Sequence, residues 1–263
     1  MKLNKLTTFI AAVALLLSML ACTLGSSTPQ TNATQPAGVE STEVTPESSA
    51  NTTTGACVNP YLPVVVGATW NYKLTGQVPD TFTRSIIAAD AGSFTDQDVF
   101  GTGVTRQGKW NCENGNLTAL NPPSGDSASV NSENVSVDFQ TTELTGATLP
   151  GTINAGDTWT QTTTLEGTET INGSQMPAKN QFSNTCTAVG VESVTVEAGT
   201  FDALRVECQT TMNITITMND NPIETTVTFN ATNWYAEKIG LLKTVSTGEG
   251  LDSTVELTSY NIP

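Results

Sequence analysis

Residues 212–218 read Met-Asn-Ile-Thr-Ile-Thr-Met, so that apolar and polar side chains alternate at every position. A period of two is typical of a β-strand with one buried face and one solvent-exposed face. The same alternation occurs at residues 70–74, 134–139 and 227–229, and turn-forming residues such as Asn114-Gly115 separate these runs. No sustained helical periodicity follows the N-terminal region. The chain therefore predicts an all-β fold, a strongly curved antiparallel sheet, half-barrel or barrel, with about ten or more strands.

The composition excludes several classes of function. The 263 residues include no histidine, which rules out a Ser-His-Asp triad, a histidine general base and the usual histidine-containing zinc site. Ten basic residues stand against 25 acidic ones, and the net charge of −15 argues against a nucleic-acid partner. The chain has neither a phosphate-binding loop nor a Gly-x-Ser-x-Gly motif. We therefore expect no cofactor and no resident metal ion.

The N-terminus has the features of an export signal. Lys2 and Lys5 precede an apolar run over residues 9–20, which is too short for a comfortable membrane span and ends at Ala21-Cys22. Residues 17–22 resemble the lipobox of bacterial lipoproteins. That resemblance implies a signal peptide over residues 1–21, cleavage before Cys22, and attachment of diacylglycerol and a further acyl chain such as palmitate to Cys22. The alternative is an ordinary secretory signal followed by an unrelated cysteine.

Residues 22–56 are predicted to form a lipidated, disordered tether. After Cys22 the segment consists mostly of Ser, Thr, Asn, Gln, Pro and Glu, which cannot bury enough apolar surface to offset the entropy of ordering. As a flexible coil this segment has a reach of roughly 30 Å. Residues 57–263 are then expected to form one antiparallel β domain.

The remaining cysteines predict disulfide bonds. Apart from Cys22 the chain has an even number of cysteines, which favours disulfide bonds in an exported protein: Cys57, Cys112, Cys186 and Cys208. None of them lies in a C-x-x-C pair. Residues 182–196 and 203–217 read as two strands flanking a turn at residues 197–200, which favours a Cys186–Cys208 bond and leaves Cys57–Cys112. A turn centred on those four residues leaves the first pair about three positions out of direct opposition, so that a bulge or a register shift is required.

Three signatures occur twice in the same order. They predict an internal duplication with one copy at residues 61–121 and the other at residues 150–245. Gly-x-Thr-Trp occurs at residues 67–70 and 156–159, Ala-Gly-x-Phe at residues 91–94 and 198–201, and a tryptophan before a turn at Trp110 and Trp234. Equivalent copies would bury Trp70 and Trp159 in comparable positions. The alternative is that a strand-rich chain repeats simple turn solutions by chance.

Residues 59–63, 67–72, 194–201 and 234–241 resemble stretches of a group of uncharacterised bacterial exported lipoproteins. The G-x-T-W-x-Y, V-x-A-G-T-F and W-Y-A-x-x-x-G-L patterns carry the likeness, which covers most of residues 57–260. The chain departs from the group at Glu197 and Glu237-Lys238. The group is more distantly similar to the half-barrel carriers of the lipoprotein localisation factor class, although this chain has no segment that reads as their lid helices. The resemblance implies no activity.

The four tryptophans are the first candidates for a binding site. Trp70, Trp110, Trp159 and Trp234 could line a cavity for a lipid or a sugar. Aromatic residues at strand spacing more often fill a core, and we favour that interpretation.

Acidic residues supply two further candidates. Asp96-Gln97-Asp98 precedes Gly101 and could hold calcium, but it lacks the further ligands of a calcium loop, so that a solvated strand face is favoured. Glu166 and Glu169 could form a glycosidase pair, which only their separation in space can decide.

These features favour a non-catalytic, lipid-anchored binding or scaffold domain outside the cytoplasm, at a bacterial cell membrane or outer membrane. Its ligand is unidentified, with lipid and glycan as the candidates. The alternative is a carrier that holds a lipid or another hydrophobic ligand in a curved β-sheet cavity. A third hypothesis is a carbohydrate-active hydrolase that uses Asp and Glu.

The anchor assignment predicts the behaviour of the Cys22→Ala variant. The variant should incorporate no labelled palmitate and should be released or mislocalised, while residues 57–263 remain folded because the lipid attaches across a tether. Metabolic labelling combined with membrane fractionation measures both effects. Palmitate incorporation at the wild-type level, with unchanged retention after a salt wash, would contradict the assignment.

Overall fold

The structure, a computed structural model, describes residues 56–120, 129–132, 135–218, 221–248 and 252–263. The expected signal peptide (1–21) and all of the expected tether (22–56) except Ala56 lie outside the described residues. None of the described segments is a helix that could span a membrane.

The described residues form thirteen strands and no helix, as the alternating sequence predicts. Every strand pairing is antiparallel. In chain order the strands are β1 (Thr69–Gly76), β2 (Asp80–Ala89), β3 (Ser93–Phe100), β4 (Thr105–Glu113), β5 (Asn116–Ala119), β6 (Ser129–Ser132), β7 (Val135–Gly146), β8 (Thr158–Ile171), β9 (Ser174–Val196), β10 (Gly199–Met218), β11 (Asn221–Ala236), β12 (Gly240–Gly248) and β13 (Ser253–Asn261).

The strands form one nearly closed, barrel-shaped sheet. Strand β1 pairs with both β2 and β13, and sequential pairings continue from β13 back to β6. Strand β4 closes the remaining gap, since Trp110 opposes Phe94 of β3 on one side and Ala119 of β5 on the other. On the same side as β5, residues 105–107 of β4 pair with β6. Strands β5 and β6 thus share one position around the barrel, and the expectation of a strongly curved antiparallel sheet is confirmed.

The inward faces of the strands form the core. Alternate residues of each strand point inward, and burying a large apolar side chain contributes about 1.5–3 kcal/mol. The largest fully buried side chains come from strands all around the barrel: Trp70, Ile86, Leu117, Leu165, Val206, Leu242 and Leu257.

An N-terminal cap, residues 56–66, covers the end of the barrel at which β4 ends and β8 begins. The buried Asn59 side chain donates from Nδ2 to the carbonyl oxygens of Gly115 (2.8 Å) and Pro150 (3.0 Å), and its Oδ1 accepts from the Tyr61 amide (2.9 Å). Gly115 has φ +82°, and a Cβ there would lie 2.8 Å from the Val58 carbonyl oxygen. Only glycine fits the turn against the cap.

Two disulfide bonds are present, Cys57–Cys112 and Cys186–Cys208, which is the pairing that the sequence favours. The first ties the cap to β4. The second joins residues that oppose each other directly on β9 and β10. The expected offset of about three positions is wrong, because Gly199 (φ +140°) already belongs to β10 and the turn is shorter than predicted. The expected bulge or register shift is present, since a shift of one residue at Arg205/Val206 brings the cysteines into register.

The recurring signatures occupy matching places in two sets of strands. Gly67 and Gly156 have φ of +88° and +90° and each precedes a tryptophan that is the second residue of a strand, β1 or β8. The Ala-Gly-x-Phe signatures lie at the β2–β3 and β9–β10 turns, and the last tryptophans lie on β4 and β11. The duplication predicts this correspondence and stays a prediction.

The expected equivalence of Trp70 and Trp159 is wrong in detail. Trp70 is 1% exposed, and its Nε1 donates to the Ile239 carbonyl oxygen at 2.7 Å. Trp159 is only half-buried, with a longer bond of 3.3 Å to the Thr148 carbonyl oxygen. The cap and the β11–β12 turn cover the first ring more completely than the 147–157 loop covers the second.

This difference predicts unequal losses of stability. Trp70→Ala should lower the free energy of unfolding by about 3–5 kcal/mol, the range for a large aromatic side chain lost from a core. Trp159→Ala should cost about half as much, because less apolar surface is lost from the interior. Urea unfolding of both variants, compared at equal slope, measures this. Equal losses would contradict the unequal burial.

Candidate functional site

A row of charged side chains crosses the interior of the β2–β4 region. Arg84, Asp98 and Arg106 oppose one another directly on β2, β3 and β4, and we call them the charged row. Because the side-chain period is two, they share the inward face with buried aromatic residues on the same strands, Phe82, Phe94, Phe100 and Trp110.

The charged row is held by a forked ion pair. Arg84 Nε and Nη2 each lie 2.8 Å from an Asp98 carboxylate oxygen, and Arg106 Nη2 lies 3.2 Å from Asp98 Oδ2. The Asp96 carboxylate adds a longer contact of 3.8 Å to Arg84 Nε. Two arginines therefore face two aspartates, which balances the buried charge.

The pairing sets the protonation of the row. Burial alone would raise the pKa of Asp98, but the charges and hydrogen bonds of Arg84 and Arg106 outweigh burial and hold this pKa below its ordinary value. Burial raises the pKa of Tyr235 to about 12, against the opposing effect of the Arg84 charge. At neutral pH Asp98 is therefore an anion and the tyrosine is protonated.

The prediction that Asp96-Gln97-Asp98 forms a solvated strand face is wrong. Asp96 and Asp98 are each 3% exposed and point inward, whereas Gln97 lies on the other face. Guanidinium groups occupy the positions from which a calcium ion would have to bind Asp98. Across the described ranges, no group of three or more Cys, Asp or Glu residues is arranged to hold a metal ion.

Glu166 and Glu169 are not brought together. They lie three positions apart on β8, and therefore on opposite faces of the sheet. Glu166 is exposed and its Oε1 lies 2.7 Å from Lys179 Nζ on the neighbouring strand. Glu169 is 2% exposed, and burial raises its pKa. The two carboxylates cannot act on one glycosidic bond.

The tryptophans divide into two pairs. Trp70 and Trp110 belong to the core, and Trp110 stacks on Phe94 with ring centroids 5.2 Å apart. Trp159 and Trp234 are half-buried, and Trp234 Nε1 donates to Glu192 Oε1 (2.6 Å) on the outer face. None of the four lines either of the two cavities described below.

A cavity of about 310 Å³ lies beside the N-terminal cap, and we call it the cap cavity. Four parts of the chain build it: the cap, β9, the start of β10, and the end of β11 with the turn that follows it. Sequence reasoning missed the cavity, although residues 59–63, 194–201 and 234–241, which carry the resemblance to exported lipoproteins, meet at it. Its lining comprises three aromatic, four aliphatic and two acidic residues: Tyr61, Phe201, Tyr235, Val191, Leu204, Ala236, Ile239, Asp202 and Glu237.

The cap cavity has a buried apolar floor and an acidic rim. Leu204 and Ala236 are 3% and 2% exposed, whereas Asp202 and Glu237 are exposed to solvent. Burial, followed by the charge of Glu237, raises the pKa of Tyr61.

A second cavity of about 350 Å³ lies near the opposite ends of the first strands, at the β1–β3 region. Its lining combines the stacked rings of Tyr72, Phe82 and Phe100 with half-buried or exposed threonines and an asparagine, and is more polar than that of the cap cavity.

The charged row predicts that Asp98→Asn is strongly destabilising. The variant should lose about 3–5 kcal/mol at pH 7, because two arginines lose a buried partner. In the wild type the pKa of Asp98 is lower in the folded state, so its contribution is complete above the ordinary aspartate value, about pH 4, and is lost as the pH falls through the folded-state value. Urea unfolding between pH 2 and pH 7 should show this acid loss in the wild type and not in Asp98→Asn. The exposed Asp138→Asn is the control; an equally mild effect of both substitutions would contradict the account.

Glu169 predicts a pH dependence of stability that is opposite in sign to that of Asp98. Because burial raises the pKa of Glu169 in the folded state, ionisation opposes folding as the pH rises from the ordinary glutamate value, about 4.3, through the folded-state value. Glu169→Gln should therefore stabilise the protein at pH 7 more than at pH 4, as read from urea midpoints. Glu166→Gln, which removes only an exposed ion pair, should change stability by about 0.5 kcal/mol or less. A lower midpoint for Glu169→Gln at pH 7 would show that the carboxylate is stabilised as an anion.

Comparison with solved structures finds matches at low sequence identity. An exported protein of Bacteroides fragilis described as having a YmcC-like fold is 16% identical, with a TM-score of 0.45 over 78% of this chain and 100% of that one. A protein of Parabacteroides distasonis described as a lipoprotein is also 16% identical, with a TM-score of 0.45 over 77% and 99% of the two chains. The hypothetical lipoprotein YmcC of Escherichia coli is 11% identical, with a TM-score of 0.36 over 75% and 85%.

No curated protein sequence matches this chain closely enough to count as a relative. A family model described as DUF3108-like matches residues 90–261, which include every strand from β3 to β13. On that match over more than half of its length, the chain belongs to the DUF3108-like family.

Proposed function

We propose that this chain is a non-catalytic, lipid-anchored domain outside the cytoplasm that binds a small ligand at the cap cavity. The observation that carries the proposal is the cavity itself: an aromatic-lined hollow of about 310 Å³ with a few polar groups at its rim. Cavities of this size and lining are typical ligand sites.

The positions of the carboxylates favour binding over hydrolysis. A glycosidase acid stays protonated at neutral pH through burial in apolar surroundings. Asp202 and Glu237, the carboxylates at the cap cavity, are exposed at its rim. The buried carboxylate of Asp98 is paired with arginine, and the buried Glu169 lies on a separate part of the sheet.

The packing of the interior opposes the carrier alternative. Tyr72, Phe82 and Phe100 stack across three strands with centroid separations of 4.9 and 5.0 Å, directly beside the charged row. An acyl chain in this region would have to displace stacked rings and leave paired charges buried without partners, which is costly.

The disulfide bonds support a location outside the cytoplasm. Cys57–Cys112 and Cys186–Cys208 both suit an oxidising compartment.

Native mass spectrometry of the full-length protein purified from its own membrane tests the proposal. The wild type should retain a small-molecule adduct, and Phe201→Ala should lose it because one wall of the cavity is removed. Phe229→Ala, which removes another half-buried phenylalanine on β11, should keep it. An adduct that survives Phe201→Ala, an adduct with the mass of a lipid acyl chain, or no adduct in the wild type would each contradict binding at this cavity.

A further inference from the structure

We infer that the cap cavity selects ligands that carry an organic ammonium group. The inference rests on the proposed function, since it concerns the same cavity and specifies the chemical class that the cavity takes. The observation that carries it is the combination of aromatic walls and an acidic rim in a cavity that no described lysine or arginine lines.

The charges around the cap cavity are one-sided. Asp202 and Glu237 line it, and among the described residues no lysine or arginine does so. The neighbouring Arg205 is engaged elsewhere, on the outer face, where it forms ion pairs with Glu192 and Glu207. Arg84, behind Tyr235, is neutralised by Asp98. A cation entering the cavity would therefore meet two carboxylates and no cationic side chain of the described lining.

The aromatic walls of the cap cavity also favour a cationic ligand. Tyr61, Phe201 and Tyr235 bring three aromatic rings to one cavity. Ring faces attract cations, and an alkylated ammonium, which is weakly hydrated, gains most from such surroundings. The aliphatic floor of Leu204 and Ala236 accommodates the carbon atoms attached to the nitrogen.

The backbone of the turn that carries Glu237 is held in place before a ligand arrives. Glu237 begins a turn in which Lys238 adopts φ +63° and its amide donates to the Pro60 carbonyl oxygen at 2.7 Å. The Ile239 carbonyl oxygen accepts the Trp70 indole N–H, also at 2.7 Å. The turn is thus fixed to the cap on one side and to the core on the other, which reduces the entropy lost on binding.

Anionic and neutral ligands fit less well. A carboxylate or phosphate would be repelled by Asp202 and Glu237, in a chain whose net charge is already −15. A neutral alcohol of the same shape would gain the apolar contacts but neither the carboxylates nor the ring electrostatics.

Three probes of nearly identical shape separate these contributions: choline, its neutral isostere 3,3-dimethyl-1-butanol, and the anion 3,3-dimethylbutanoate. Titration calorimetry on the full-length protein in a non-ionic detergent should show choline binding roughly tenfold more tightly than the alcohol. The anion should not bind measurably. If alcohol and choline bind equally, the ammonium inference fails while the proposed function stands. If none of the three binds, the ammonium inference fails, and the adduct test with Phe201→Ala decides separately whether the proposed function stands.

The double variant Asp202→Asn/Glu237→Gln locates the selectivity. Choline binding should weaken by roughly fivefold or more, while alcohol binding changes by less than about twofold, since only the charge is removed. The matched control is Asp138→Asn/Glu224→Gln, which changes the net charge equally at two exposed residues outside the cavity lining. Equal weakening in both double variants would show a general effect of net charge and would overturn the inference.

Discussion

The side-chain amide of Asn59 is the contact on which the cap end of the molecule depends. It bonds at once to the turn after β4, to the loop before β8 and to the backbone of Tyr61. Each hydrogen bond stabilises the fold by only about 1 kcal/mol, but losing the amide would leave buried carbonyl groups unsatisfied at about 1–3 kcal/mol each. The Cys57–Cys112 bond holds the same segment covalently. Together they place Tyr61 against β10 and β11, and the cap cavity exists because of that placement.

The charged row imposes a second constraint, on register. Asp98 reaches both arginines only if β2, β3 and β4 are paired as observed, because a slip of one residue would turn its side chain to the outer face. A misregistered sheet would bury unpaired charge, at a cost far above the benefit of the pair itself. We therefore infer that the charged row specifies the pairing of β2, β3 and β4 and fills the interior of the barrel beside them.

Local patterns predicted the strands, the absence of helices in the described residues and the favoured cysteine pairing, because alternation and turns are encoded over short distances. The prediction of a solvated face for the Asp-Gln-Asp stretch at residues 96–98 was wrong, because polar residues at strand spacing are typical of a solvent-exposed face. Its burial depends on Arg84 and Arg106 of the neighbouring strands, which become partners only when three strands align. The cap cavity was not predictable from spacing either. Tyr61 and Tyr235 lie at opposite ends of the domain sequence and meet only because the sheet closes around a barrel.

The most direct test of this account measures choline affinity after the cap is released from β4. The account predicts that Cys57→Ala/Cys112→Ala keeps its β-sheet circular dichroism but binds choline several-fold more weakly, because Tyr61 is no longer held at the cavity. Cys186→Ala/Cys208→Ala, which removes the disulfide bond within the β9–β10 hairpin, should bind choline as the wild type does. Undiminished affinity after loss of Cys57–Cys112, in a folded protein, would contradict the claim that the cap builds the binding site.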